Sequence, residues 1–490
     1  MFHFPLLLRL TQLLLLWSVI SLQMVAAEAT VEKQRVLVLT DIEADPDDAQ
    51  SLIRLLLYAN QIDIEGLVAT TSVHQKNRVV PETILSILDA YAKVQPNLLL
   101  HEAGYPNAAQ LKALVKPALP LYGMQGVGEG KDSAGSDWLL QVLQKPDPRP
   151  LWLSIWGGSN TLAQALYRLK QRLPEAQLQQ QISRLRVYSI SDQDDSAGWI
   201  RQQFPTLFYI VSPGGYGAAT WTGINTVVEG IDNSSISNPW LANHIQQGHG
   251  PLGALYPDVA YGMEGDTPAW LGLIPNGLNQ PERPDWGGWG GRYQLYIPKL
   301  SDTDPKGFTG GVPVLQESRP IWTNAVDRYS PPQLADYGRA LRPGQQSFSG
   351  FRETLWRWRD AIQQDFAARM DWAILPYASA NHPPRPQLRH ATELTVKSGA
   401  SFHLDARDST DPDGDSLQYF WFHYPEAGSA PRPQLSINSA ENMARVHLIA
   451  PQVNKAETLH FILQLTDRGS PALTRYLRVR VTVEPDSYSQ

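Results

Sequence analysis

The sequence predicts an α/β protein, a mainly parallel sheet flanked by helices, followed by a small immunoglobulin-like β-sandwich. Two patterns predict it. Between residues 35 and 211, short apolar runs alternate with stretches of helical periodicity, which builds a parallel sheet covered on both faces. After residue 390, short strands of alternating polarity are separated by turn residues, the texture of a sandwich. The chain has 490 residues, 42% hydrophobic and 18% charged, enough for two or three domains and far from the composition of a disordered protein.

The elements follow in order. Residues 1–27 carry a single charge, Arg9, then an apolar run from Leu13 to Ile20, then small residues at Val25-Ala26-Ala27. That is the three-part form of a secretory signal peptide, and it predicts a secreted or periplasmic protein. Arg35–Thr40 is a short buried strand, and Ala49–Ala59 a helix with Leu52, Ile53, Leu56 and Leu57 on one face. Ile64–Thr70 is a second strand and Pro81–Val94 a second helix. Leu151–Ile155, Leu185–Ile190 and Leu207–Val211 are further strands, with Leu162–Leu169 and Gly198–Gln203 between them. Residues 280–350 turn rich in Gly, Pro and Trp and are expected to form long ordered loops. A helix is expected near Glu353–Asp371, and Asn381–Pro386 is a linker because its prolines block helix. Ser401–Ala406, Leu417–Tyr424, Ala444–Ile449 and Leu459–Leu465 are the sandwich strands. These readings place a signal peptide at 1–27, a first domain at 32–377, a linker at 378–394 and the sandwich at 395–487.

Composition excludes several functions. With no cysteine there is no disulfide scaffold, thiolate metal site or cysteine nucleophile. A formal net charge of −7 argues against a nucleic-acid partner, and no stretch beyond the N-terminus is long and apolar enough to span a membrane. The G-x-S-x-G elbow is absent, and Ser154 and Ser159 have no evident histidine partner. His244 and His249 lack metal-ligand spacing and read as loop residues.

One motif carries chemistry. Asp41-Ile42-Glu43-Ala44-Asp45-Pro46-Asp47-Asp48 packs five carboxylates into eight residues between a buried strand and a helix. Ligands bind at the carboxyl ends of strands in open α/β sheets. Helix capping accounts for one or two of these acids but not for five. Crowded carboxylates repel unless a cation neutralises them, and an all-oxygen donor set suits Ca2+ or Mg2+.

The turn resembles the first-strand Asp-x-Asp-x-x-x-Asp-Asp motif of the nucleoside hydrolase-like group, with Asp41, Glu43 and the pair Asp47-Asp48 at matching spacing. Glu43 stands where that group usually has its second aspartate. Ser189–Ile200, Met263–Pro268, Leu273–Gly291 and Trp356–Trp372 are similar to a subfamily of exported bacterial proteins labelled cellulose-binding, in which such a domain precedes a β-sandwich. The resemblance implies a metal held by Asp41, Glu43, Asp48, Asp266 and the backbone carbonyl of Asn160, with Asp47 on sugar hydroxyls. It implies glycosidic bond cleavage through an oxocarbenium-like state, with Glu43 or Asp48 as base. Where many nucleoside hydrolases carry a leaving-group histidine this chain has Gly265, which leaves Glu264 as candidate acid and disfavours a nucleobase. Asp192 and Asp195, after the strand ending at Ile190, are candidates for sugar hydroxyls or for a helix cap. Trp286 and Trp289, set among glycines, are expected to stack on sugar. The expected activity is hydrolysis of a cell-wall-type glycan or oligosaccharide. The alternatives are a nucleoside N-ribohydrolase and a non-catalytic carbohydrate (cellulose)-binding protein. The Asp405–Asp415 segment resembles turns of PKD-like and cadherin-like sandwiches, and also suits a plain hairpin turn; a spacer or docking role is expected of this module.

Overall fold

The computed structural model describes residues 32–218, 220–334, 341–430 and 443–485. The segment assigned to a signal peptide lies outside them, and the chain from Gln34 onward forms one compact unit. Its centre is an eight-stranded sheet of order β3-β2-β1-β4-β5-β6-β8-β7. The strands are β1 (Gln34–Thr40), β2 (Ile62–Ala69), β3 (Val115–Pro117), β4 (Leu151–Ile155), β5 (Leu185–Ser189), β6 (Phe208–Val211), β7 (Tyr293–Tyr296) and β8 (Ile321–Asn324). All neighbours pair in parallel except β7 with β8. The inner strands are apolar on both faces because helices cover both. One face of the sheet packs on the Asp47–Leu57 helix, whose Leu52, Ile53, Leu56 and Leu57 are fully buried. The other packs on the Ala134–Gln144 and Asn160–Arg172 helices.

The chain runs outward from β1 in one direction through β2 and β3 and in the other through β4, β5 and β6. The switch point lies between β1 and β4, where the loops leaving the strand ends diverge and open a crevice. β7 and β8 fall inside the stretch expected to be loop. Neither is a continuous apolar run: β7 exposes Gln294 and Leu295, and β8 reads Ile-Trp-Thr-Asn. The helix expected across Glu353–Asp371 is broken into Glu353–Trp356 and Arg359–Trp372, with Trp356, Trp358 and Trp372 all buried. Two short antiparallel pairs precede it, β9 (Asp327–Tyr329) with β12 (Phe348–Gly350) and β10 (Pro332–Leu334) with β11 (Leu341–Pro343).

The C-terminal strands are β13 (Glu393–Lys397), β14 (Ser401–Asp405), β15 (Gln418–His423), β16 (Arg445–Ile449), β17 (Glu457–Thr466) and β18 (Thr474–Glu484). They form a four-stranded sheet, β13-β18-β17-β15, and a two-stranded sheet, β14-β16, around a core that includes Leu404, Trp421, Leu448, Phe461 and Val481. This β-sandwich packs directly on the first domain. Trp289 is fully buried edge-on against Tyr476 of β18, and Trp286 meets His460 of β17 at a ring separation of 4.7 Å. Arg478 donates to the carbonyls of Leu278 and Gly287, and Arg475 bonds Asp365 at 2.7 Å. The expectation that Trp286 and Trp289 stack on sugar is therefore corrected. Their Gly-rich loop is packed beneath the sandwich, so their faces meet protein.

Candidate functional site

β1 is central, so its carboxyl end lies beside the ends of β2 and β4. The turn leaving it closes with the Ala44 N–H donating to the Asp41 carbonyl at 2.9 Å, and the helix begins at Asp47. Asp41, Asp47 and Asp48 are all buried. Thr40 Oγ1 donates to Asp48, and the Asp47 N–H to Asp45 Oδ1 at 3.0 Å. From β4, Gly157 passes so close that a Cβ there would stand 2.5 Å from Asp41 Oδ1; glycine is what lets this carboxylate sit against the neighbouring strand end. The turn Glu264–Thr267 brings in buried Asp266, whose Oδ2 has no hydrogen-bond partner.

These four carboxylates line one cavity of about 480 Å³, within the roughly 300–1,000 Å³ typical of ligand pockets. Burial first, then mutual repulsion, pushes their pKa values up. Asp41 rises to about 7, while Asp47, Asp48 and Asp266 are driven well above the usual carboxylate range. Half-buried Asp45 completes an acidic triad with Asp47 and Asp48, whose oxygens lie within 4.8 Å of one another. An all-oxygen cluster with an orphaned carboxylate oxygen is the donor set of a hard divalent cation, so the residues fit one.

Aromatic side chains wall the cavity. Trp221 Nε1 donates to Asp47 Oδ2 at 2.5 Å, and its indole lies over Gly265, where a Cβ would stand 1.9 Å from Nε1. Any side chain at position 265 would therefore meet the Trp221 indole. Tyr216 meets Trp221 edge-on and bonds His74 Nε2 at 2.8 Å. Gln193, from the loop after β5, donates to the Trp156 carbonyl.

Four of the residues named from the sequence converge here: Asp41, Asp47, Asp48 and Asp266. The others do not line the cavity. Glu43 has φ 77°, in the left-handed region, and this turns its side chain outward to Thr83 and to Arg78 at 3.2 Å. Asp45 faces the cavity in its place. Glu264 is buried in an ion pair with Arg54 at 2.6 Å and accepts from Tyr256 and Thr267, so its oxygens are already committed. Asp192 pairs bidentately with Arg201, which also grips Glu317. Asp195 is exposed and accepts from the Met124 N–H; the neighbouring Asp194 caps the following helix by accepting from the Ser196 N–H at 2.9 Å. Asn160 opens the Asn160–Arg172 helix with its side chain bonded to Thr70 and the Leu121 carbonyl. Sequence reasoning overlooked Tyr216, Trp221, Tyr261 and Phe308, isolated aromatics in long loops with no spacing to mark them. His74 and Gln193 had a signal: both follow strand ends.

Comparison with known proteins agrees with this architecture. Residues 35–293 match the family described as "Cellulose-binding Sde182, nucleoside hydrolase-like domain", and residues 401–483 match "Cellulose-binding protein Sde0182, C-terminal domain". A solved structure described as a nucleoside hydrolase-related hypothetical protein from Saccharophagus degradans, associated with carbohydrate metabolism, is 36% identical. It covers 93% of this chain and 100% of its own, with a TM-score of 0.74. The PKD domain from KIAA 1837 protein is 21% identical over 23% of this chain and 96% of its own, with a TM-score of 0.17. No curated protein matches the sequence significantly.

Proposed function

Because this chain belongs to the cellulose-binding Sde182 family, with its nucleoside hydrolase-like domain and C-terminal domain, we propose that it is an exported, metal-dependent hydrolase of glycosidic bonds in a cell-wall-type glycan or oligosaccharide. The observation that carries this reading is the set of four buried carboxylates, Asp41, Asp47, Asp48 and Asp266, in one ligand-sized cavity at the carboxyl end of the central strand. On this reading residues 32–377 hold the site, and 378–394 join it to a docking module at 395–487.

Asp41, Asp45, Asp48 and Asp266 would hold a Ca2+ or Mg2+ ion. When bound, such an ion fixes sugar hydroxyls and makes a water acidic enough to serve as nucleophile near neutral pH. The protein supplies the rest. Asp47, oriented by the Trp221 indole N–H, accepts hydrogen bonds from sugar hydroxyls. Asp48, steadied by Thr40, takes one proton of the attacking water as the water oxygen bonds to the anomeric carbon; the glycosidic C–O bond breaks, and the departing oxygen takes a proton from solvent. The surrounding carboxylates stabilise the positive charge that develops on the ring.

One observation favours binding without catalysis. Glu264 is committed to Arg54, which removes the expected leaving-group acid. A panel of soluble glucans and nucleosides, incubated with and without EDTA, separates the readings. Chelator-sensitive release of reducing ends is expected. Binding to insoluble glucan without release of ends supports the binding protein, and release of free base from inosine supports the ribohydrolase. A melting temperature indifferent to EDTA would remove the metal from the account.

A further inference from the structure

The upper wall of the cavity carries two side chains that folding does not explain. Tyr261 is 80% exposed and Phe308 72% exposed, and both line the cavity mouth. Exposed large aromatics at the rim of a polar pocket mark a surface that meets a ligand with an apolar face. Phe308 continues a row that begins on the acidic floor. Trp221 is bonded to Asp47; Tyr216 follows at a ring separation of 5.8 Å; Phe308 lies 5.9 Å further on and also flanks His74 at 6.2 Å.

We infer that this rim is a second sugar subsite and that the ligand is a saccharide of at least two rings. This deepens the carbohydrate reading above and rests on it. One ring sits over the floor with its hydroxyls on the carboxylates, and the next lies with its C–H face on Phe308 and Tyr261. The geometry favours a saccharide over a nucleobase. Phe308 is tilted 41° from Tyr216 and 33° from His74, so these rings offer no parallel slot for a flat base. The row also spans two ring-to-ring steps, longer than a single ring needs. The rim takes over the stacking role that Trp286 and Trp289 cannot fill.

The test is calorimetric titration of the full chain, in Ca2+, with glucose, cellobiose and cellohexaose, for wild type and for Phe308→Ala, Tyr261→Ala and the double variant. Wild type is expected to bind cellohexaose at least about tenfold more tightly than glucose, and the double variant to lose that ratio. Phe308→Tyr should retain it. Melting temperatures report whether the variants fold, and the exposure of both side chains predicts no change. A length preference that survives in the double variant overturns the subsite, as does a wild type that binds glucose and cellohexaose equally. Loss of inosine binding in place of cellohexaose binding assigns the rim to a nucleobase and also overturns it. A wild type that binds none of these saccharides overturns this inference together with the reading it rests on.

Discussion

At the level of single residues, the cavity concentrates charge that the fold alone does not neutralise. Asp266 has a buried oxygen without a partner, and its carboxyl is pushed up by burial and then by Asp47, Asp48 and Asp41. Replacing Asp266 with Asn removes one repelling charge, so the metal-free protein should gain about 1–2 kcal/mol of stability while its melting temperature stops responding to Ca2+. Calorimetric melts with and without EDTA check both halves. Glu264 behaves oppositely, because its charge is already paired with Arg54. Arg54→Met leaves that buried carboxylate uncompensated and should cost about 3–5 kcal/mol in urea unfolding. Sequence spacing identified the acids but not their directions. Glu43 and Asp45 are two residues apart, and a left-handed φ at Glu43 decides which one faces the cavity.

At the level of elements, the site depends on loops that leave neighbouring strand ends without room to spare. Gly265 lies beneath the Trp221 ring, which in turn orients Asp47. Gly265→Ala should displace the indole and weaken saccharide binding about tenfold or more, with helix content by circular dichroism unchanged. An effect no larger than that of a distant surface substitution would show that Trp221 does not position Asp47. β1, β2, β4, β5 and β6 were legible in the sequence because burial on both faces makes them continuous apolar runs. β7 and β8 were not, since neither is a continuous apolar run: Gln294 and Leu295 are exposed on the edge strand β7, and β8 reads Ile-Trp-Thr-Asn. The Arg359–Trp372 helix was legible as a helix. Its separation from Glu353–Trp356 was not, because the break comes from packing Trp358 against Tyr424 and Tyr476.

At the level of the whole molecule, the sandwich is bonded to the domain that carries the site. Asp365, on the Arg359–Trp372 helix, joins Arg475 of β18 to Arg369. Burial alone would raise its carboxyl, but the two guanidinium groups and the Tyr58 hydroxyl outweigh burial and hold it down to about 2. A carboxyl with a depressed folded pKa stabilises the protein above its unfolded value of about 3.9, and that stabilisation is lost as pH falls toward about 2. Asp365→Asn should therefore cost about 3–5 kcal/mol at pH 7 and flatten the pH dependence of unfolding between about pH 4 and 2. By itself, the sequence determined the α/β class, the sandwich that follows it and the acidic turn at the end of the first strand. Those features are written in local periodicity and in charges a few residues apart. Only the tertiary structure decided that Asp45 rather than Glu43 faces the cavity, that Trp286 and Trp289 pack against the sandwich, and that Tyr261 and Phe308 rim the cavity. Each depends on which distant loops meet at one strand end, and loop paths follow from packing and backbone dihedrals that no short stretch of sequence encodes.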